Sequence, residues 1–266
     1  MTQRPIALSI AGSDSSAGAG VQADLKTFSA LGVYGATAIT AITAQNTVGV
    51  RAVHMVPAPL VAAQIDAVFE DFDVVAVKIG MLCAPEIALA VATNLGARRA
   101  FVVYDPVLAS SSGGMLARAG LMETAKARLL QHVDCLTPNL NEAGAFLNVA
   151  PAQDEDEMRA QGAALLKLGA RAVLMKGGHL DGDAVDWLIT PEGAQRFAAP
   201  RIESVHLHGT GCTLSSAIAA YVTLGEPLNE AVRLAKIFVR DAIEAGRDGR
   251  LGQGAGPLIQ MPLRQG

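Results

Sequence analysis

The sequence predicts an α/β protein with a mostly parallel central sheet, helices on both faces and an antiparallel hairpin at one edge. Three observations predict it. Short apolar runs of strand length alternate with segments whose apolar residues recur at helical spacing, the pattern of strand–helix–strand units. Glycine or an Asx–Pro pair follows many of the strands, and right-handed crossovers place those strand ends along one edge of the sheet. Residues 183–190 and 195–205 alternate apolar and polar around Pro191-Glu192-Gly193, as a hairpin at a sheet edge does.

Each element has its own signal. Residues 5–11 form an apolar strand between Pro5 and Gly12, and 21–31 a helix with Val21, Leu25 and Phe28 on one face. A second strand covers 35–41 and leads to a polar loop at 44–49. Residues 57–69 begin with proline, as helices do, and 74–79 form a strand running into Gly80-Met81-Leu82. Helix 85–94 precedes strand 101–104, which stops at Asp105-Pro106 because the residue before a proline avoids the helical region. A helix at 119–130, a strand at 133–137 and a short helix at 142–147 follow. The acidic residues 154–157 suit the positive end of a helix that runs to Leu168, and strand 172–176 ends in Gly177-Gly178-His179. Beyond the hairpin, helices cover 213–224 and 228–245. One domain spans 1–266, with the glycine-rich residues 246–266 expected to be a loosely ordered tail.

Composition narrows the function. In 266 residues, 51% are hydrophobic and 17% charged, enough for one large core, and the net charge of −4 comes with no basic run. That argues against a nucleic-acid surface or a polybasic membrane anchor and leaves small-molecule chemistry. The three cysteines, Cys83, Cys135 and Cys212, are widely spaced without a Cys-x-x-Cys pair, which argues against a disulfide framework or a zinc site. The apolar run 6–11 is too short for a signal segment, so a cytoplasmic location is expected.

Polar residues gather where the strands end: Asp14, Gln45, Asp105, Asn139, Glu142, Lys176 and the loop His208-Gly209-Thr210-Gly211-Cys212-Thr213. That loop opens into a helix, so Gly209 and Gly211 can turn amide hydrogens toward one point and the helix adds its own N–H groups, a site for phosphate. Cys212 lies within it, where a thiolate is stabilised and can serve as base or nucleophile. The alternative is a glycine turn capped by Thr210 or Thr213. Asp105, Asn139 and Glu142 are oxygen donors suited to a hard cation beside a polyphosphate, although each also suits a turn or cap. Lys176, ending an apolar strand, needs a partner such as phosphate. Gln45 can give and accept hydrogen bonds side by side, matching an aminopyrimidine edge. His206 and His208 form an H-x-H pair without a third ligand and are read as solvated strand-end residues. Gly18-Ala19-Gly20-Val21-Gln22-Ala23 fits the relaxed dinucleotide fingerprint, but the second strand offers no acidic residue at its end, which disfavours a nicotinamide-dependent oxidoreductase.

The ordered blocks Gly12-Ser-Asp-Ser-Ser16, Gly18 to Lys26, Thr43-Ala-Gln-Asn-Thr47, Lys78-Ile-Gly-Met-Leu82, Asp105-Pro-Val107, Thr137-Pro-Asn-Leu-Asn-Glu-Ala143, Lys176-Gly-Gly-His179 and His208 to Thr213 resemble the hydroxymethylpyrimidine/phosphomethylpyrimidine kinases of thiamine biosynthesis, in the ribokinase-like superfamily. The resemblance implies a three-layer α/β/α sandwich, a homodimer, and transfer of phosphate from ATP with Mg²⁺ to the pyrimidine's hydroxymethyl group and then to its monophosphate. By the same resemblance Gln45 binds the aminopyrimidine in a pocket shaped by Met81, Ala19 and Gly20, with Asp24 on the substrate side. Asn139 and Glu142 arrange Mg²⁺, Asp105 works near metal and triphosphate, and Lys176 holds phosphate oxygens. The amides of Gly209, Thr210, Gly211 and Cys212 stabilise the transferring group, with Cys212 assisting deprotonation of the alcohol. Three positions depart from the pattern: Asn141 replaces a usual proline, Ser111 stands where many members have lysine, and Gly256 to Gln260 lack the usual histidine and phenylalanine. A pyridoxal kinase of the same fold is the nearest alternative, and a non-catalytic pyrimidine sensor the alternative of another class.

Overall fold

A computed structural model describes residues 4–108, 117–178, 182–249 and 251–261. Ser111 and His179 lie outside the described residues. Among the described residues, a nine-stranded sheet has the order β3-β2-β1-β4-β5-β6-β7-β8-β9. Its strands are β1 (Ile6–Ser13), β2 (Tyr34–Asn46), β3 (Gly49–Met55), β4 (Val74–Ile79), β5 (Phe101–Tyr104), β6 (Cys135–Leu136), β7 (Val173–Lys176), β8 (Ala184–Thr190) and β9 (Gly193–Ala199). Strands β2, β1, β4, β5, β6 and β7 pair in parallel. The hairpin β8–β9 joins β7 antiparallel, as expected at that edge.

Two apolar layers cover the sheet, and β1 shows why. Ile6, Leu8 and Ile10 face one cluster and Ala7 the other, the period-two alternation of a strand buried on both faces. The first cluster packs under α2 (Ala58–Asp71), α3 (Pro85–Leu95), α4 (Leu121–Thr124), α5 (Leu140–Leu147) and α6 (Glu155–Leu166). The second packs under α1 (Gly20–Ala30), α7 (Thr210–Thr223) and α8 (Leu228–Gly246). Three layers result, with the strand ends that carry polar residues along one edge.

Beyond shifted strand ends, such as β9 stopping at Ala199 where a strand to residue 205 is expected and β6 covering only Cys135–Leu136, the structure differs from the sequence reading in three places. β2 continues through the expected polar loop to Asn46 and turns back into β3, a second antiparallel edge. β3 is exposed along most of its length, so it has no buried face to write an apolar alternation into the sequence. The helix expected at 119–130 is α4 followed by a π-helical turn at Ala125–Leu129 and a 3₁₀ turn at Leu130–His132. Residues 251–261 dock on the body of the protein instead of forming a loose tail. Leu258 and Gln260 are buried, Gln260 Nε2 donates to Thr213 Oγ1 at 3.0 Å, and Gly254 N donates to Thr47 Oγ1 at 3.1 Å.

Candidate active site

A cavity of about 1290 Å³ opens along the C-terminal edge of the parallel strands, and its walls include Ala19, Gly20, Gln45, Met81, Asp105, Asn139, Glu142, Lys176 and Gly209 through Cys212. Thus most residues singled out in the sequence meet in one space, the edge where open α/β sheets bind ligands. One end is a small pocket. Met81 packs with Ala41, Cys83 and Val107 as an apolar wall, and Gln45 and Thr43 supply polar atoms beside it.

At the other side of the pocket α7 begins. Gly209 is its N-cap with φ +87°, and a Cβ there would fall 1.9 Å from Gly18 O, so neither backbone nor space accepts a side chain. A Cβ on Gly211 would come 3.3 Å from Lys176 Nζ and 3.4 Å from Asp105 Oδ2, which shows how close the ion pair lies to the helix start. The first-turn amides of Gly211 and Cys212 have no acceptor inside the helix. Thr210 departs from expectation: its amide and hydroxyl both donate to Leu207 O, at 3.2 and 2.7 Å, so its polar groups are committed to the turn.

Lys176 Nζ donates to Asp105 Oδ1 at 2.6 Å and lies 3.9 Å from Glu142 Oε2. Burial pushes the Glu142 carboxyl up to about 7; the Lys176 ammonium opposes the rise and Asp105 adds to it. Two buried carboxylates therefore share one cation. Asn139 takes the cap role that the sequence also allows. Its Oδ1 accepts the Glu142 amide at 2.8 Å while Glu142 Oε2 accepts the Asn139 amide at 2.7 Å, a reciprocal cap of α5. Asn139 thus holds Glu142 in place from the cavity wall.

The family profile described as phosphomethylpyrimidine kinase matches residues 14–259. The chain belongs to the phosphomethylpyrimidine kinase family. It is 49% identical over 258 residues to the hydroxymethylpyrimidine/phosphomethylpyrimidine kinase of Salmonella typhimurium, covering 96% of this chain and 97% of that protein. It is 45% identical to the phosphomethylpyrimidine kinase in a crystal structure from Clostridium difficile 630, with a TM-score of 0.81, covering 90% of this chain and all (100%) of the other. The ADP complex of Bacillus subtilis pyridoxal kinase is similar with a TM-score of 0.89 and 32% identity, over 99% and 100% of the two chains. The ribokinase-like sandwich expected for the phosphomethylpyrimidine kinase family is thus the fold observed.

Three features of this phosphomethylpyrimidine kinase site revise the sequence reading. Cys212 lines the cavity, but burial pushes its thiol up to about 11; Lys78 pulls it down, Asp24 and Asp105 push it up, and a hydrogen bond from the Gly20 amide favours the thiolate. The resting group is the thiol, since the cost of burying a charge exceeds the help from the helix start. Asp24 does not reach the cavity. It is fully buried, accepting from Lys78 Nζ at 2.8 Å and from the hydroxyls of Ser9 and Ser216. This pair ties α1, β1, β4 and α7 together beneath the site, and Lys78 had carried no expected role because its partner is 54 residues away.

His208 is the third. It is buried, not solvated, with Nε2 3.0 Å from Asp14 Oδ2 and 3.2 Å from Gln45 Nε2. Burial alone would raise Asp14, but hydrogen bonds from His208, from the Ser16 side chain and amide, and from the Ala19 amide outweigh it and bring the carboxyl down to about 2. A carboxylate with a depressed folded-state pKa adds stability above its unfolded value, near pH 4, and loses it as pH falls toward the folded value. Asp14 should therefore give up about 2 kcal/mol between pH 5 and pH 2. Urea unfolding of Asp14→Asn should show a pH dependence smaller by that amount; equal dependence in both proteins would refute the assignment.

Proposed function

We infer that the chain is an ATP-dependent kinase of thiamine biosynthesis that phosphorylates 4-amino-5-hydroxymethyl-2-methylpyrimidine and then the resulting monophosphate. The observation that carries the reading is the joining, in one cavity, of a small apolar pocket with an amide reader to a helix start flanked by Lys176, Asp105 and Glu142. The pyrimidine lies against Met81 and Val107 with Gln45 on its polar edge. Its hydroxymethyl oxygen then faces the start of α7. The nucleotide occupies the part of the cavity lined by Leu207, Leu214, Val239, Ile243 and Lys236, with its terminal phosphate at Gly211 and Cys212.

The hydroxyl oxygen attacks the terminal phosphorus, ADP departs, and the hydroxyl proton passes to the thiolate form of Cys212. The Gly211 and Cys212 amides and Lys176 meet the charge that spreads over the transferring oxygens. The donor set fits Mg²⁺: the Asp105 and Glu142 carboxylates exceed their one ammonium partner, and would hold the ion directly or through water. When bound, Mg²⁺ neutralises phosphate charge. A reducing cytoplasm, which supplies Mg·ATP and keeps Cys212 a thiol, is the setting that suits this chemistry, and a homodimer is the assembly we expect from the family.

A pyridoxal kinase activity is the second reading, favoured by the likeness to the Bacillus subtilis enzyme. Mass spectrometry of products from Mg·ATP with hydroxymethylpyrimidine, and from a parallel reaction with pyridoxal, separates the two. The expected result is pyrimidine mono- and diphosphate. Pyridoxal phosphate alone would overturn the assignment.

A further inference from the structure

The polar end of the pyrimidine pocket contains a chain of side chains whose hydrogens can be placed by elimination. The Asp14 carboxylate can only accept, and it already takes the Ser16 amide and hydroxyl on Oδ1 and the Gly18 and Ala19 amides on Oδ2. His208 Nε2, 3.0 Å from Oδ2, must therefore carry a hydrogen whatever the charge of the ring. With Gln45 Nε2 3.2 Å from the same nitrogen, two hydrogen-bearing nitrogens would oppose each other. Reversing the amide exchanges two nearly isosteric atoms and removes the conflict, because Oε1 then shares the His208 hydrogen.

Thr43 supports the same orientation independently. Its hydroxyl gives its one hydrogen to Ser13 O at 2.9 Å, so toward the Gln45 amide, at 3.3 Å, it can only accept. An accepting hydroxyl calls for the amide NH₂ on that side. Both neighbours thus select Oε1 toward His208 and Nε2 toward Thr43, leaving one N–H and one oxygen lone pair for a ligand. That pair is complementary to a ring nitrogen next to an exocyclic amino group.

We propose that the Asp14–His208 pair fixes the orientation of the Gln45 amide, making His208 the positioning residue by which the pocket selects an amino-substituted heterocycle. The proposal rests on Gln45 being the reader of the pyrimidine. His208 is held for the task from three directions: Asp14 on the β1–α1 loop, Gly256 O accepting its amide at 3.2 Å, and Gly18, where a Cβ would meet the ring at 2.4 Å.

The test compares hydroxymethylpyrimidine with its analogue lacking the amino group. The wild-type protein should prefer the amino compound by ~10³-fold in kcat/KM, since a site built to pair a polar group leaves its own groups unpaired with the analogue. His208→Leu, which cannot donate, should reduce that preference to about tenfold, mainly through KM, with kcat on the amino compound within about threefold. His208→Gln places an amide nitrogen near Nε2 and should restore most of the preference. A wild-type preference in His208→Leu would overturn the proposal. Should that variant not fold, His208→Asn, whose amide falls short of Nε2, takes its place with the same expectation. Gln45→Ala tests the underlying reading: if it keeps the preference, Gln45 is not the reader, whereas loss in Gln45→Ala with none in the His208 variants refutes the positioning role alone.

Discussion

Cys212→Ala is expected to lose about 10²–10³-fold in turnover on the alcohol substrate while keeping phosphorylation of the monophosphate within about tenfold. The split follows from where a proton must go. An alcohol loses its proton as it attacks phosphorus, and Cys212, at the first turn of α7 and on the cavity wall, is placed to take it. A phosphate monoester is already largely ionised at neutral pH and brings its own nucleophilic oxygen. Removing the thiol leaves the Gly211 and Cys212 backbone amides intact, so charge stabilisation is kept for both steps. Because burial holds the thiol near 11, the reactive thiolate is a minority at neutral pH. Turnover on the alcohol should therefore keep rising between pH 8 and pH 10, above the ionisation of Glu142 near 7, in the wild-type protein and lose that rise in Cys212→Ala. Steady-state kinetics on the two acceptors decides it: equal losses on both would assign Cys212 to structure or phosphate binding instead of proton transfer.

Lys176→Met is expected to lower kcat on both acceptors by about 10²–10³-fold with the pyrimidine KM within about threefold. Lys176 Nζ lies beside the Gly211 backbone and between two carboxylates, far better placed to meet the moving phosphoryl group than the heterocycle. Its charge is also what keeps Asp105 and Glu142 tolerable in a buried position, and breaking such an arrangement costs about 3–5 kcal/mol when fully buried, less here where Lys176 is partly exposed. Thermal unfolding of the variant accompanies the kinetics. A folded variant whose loss lies in the pyrimidine KM alone would move Lys176 away from the phosphoryl group and refute the placement.

The sequence by itself determined the parallel layers and the ligand edge. Strands such as 101–104 are apolar because the sheet is covered on both faces, and observed β4 and β5 begin and end where the apolar runs at 74–79 and 101–104 do. Glycine and Asp–Pro signals then mark the strand ends, which is why the sequence alone places Gln45, Asp105, Glu142, Lys176 and the Gly209–Cys212 turn on one edge. Only the tertiary structure decided which partners those residues take. Asp14 meets His208 across 194 residues, and Ser216 meets Asp24 across 192, separations at which no local period records a contact. The same holds for charge: a thiol at a helix start reads as acidic from sequence, and its burial among Lys78, Asp24 and Asp105 makes it otherwise. β3 and residues 251–261 stayed hidden for a related reason. Periodicity reports a buried face, and these segments are held by backbone pairing and scattered side-chain contacts that leave no repeat in the chain.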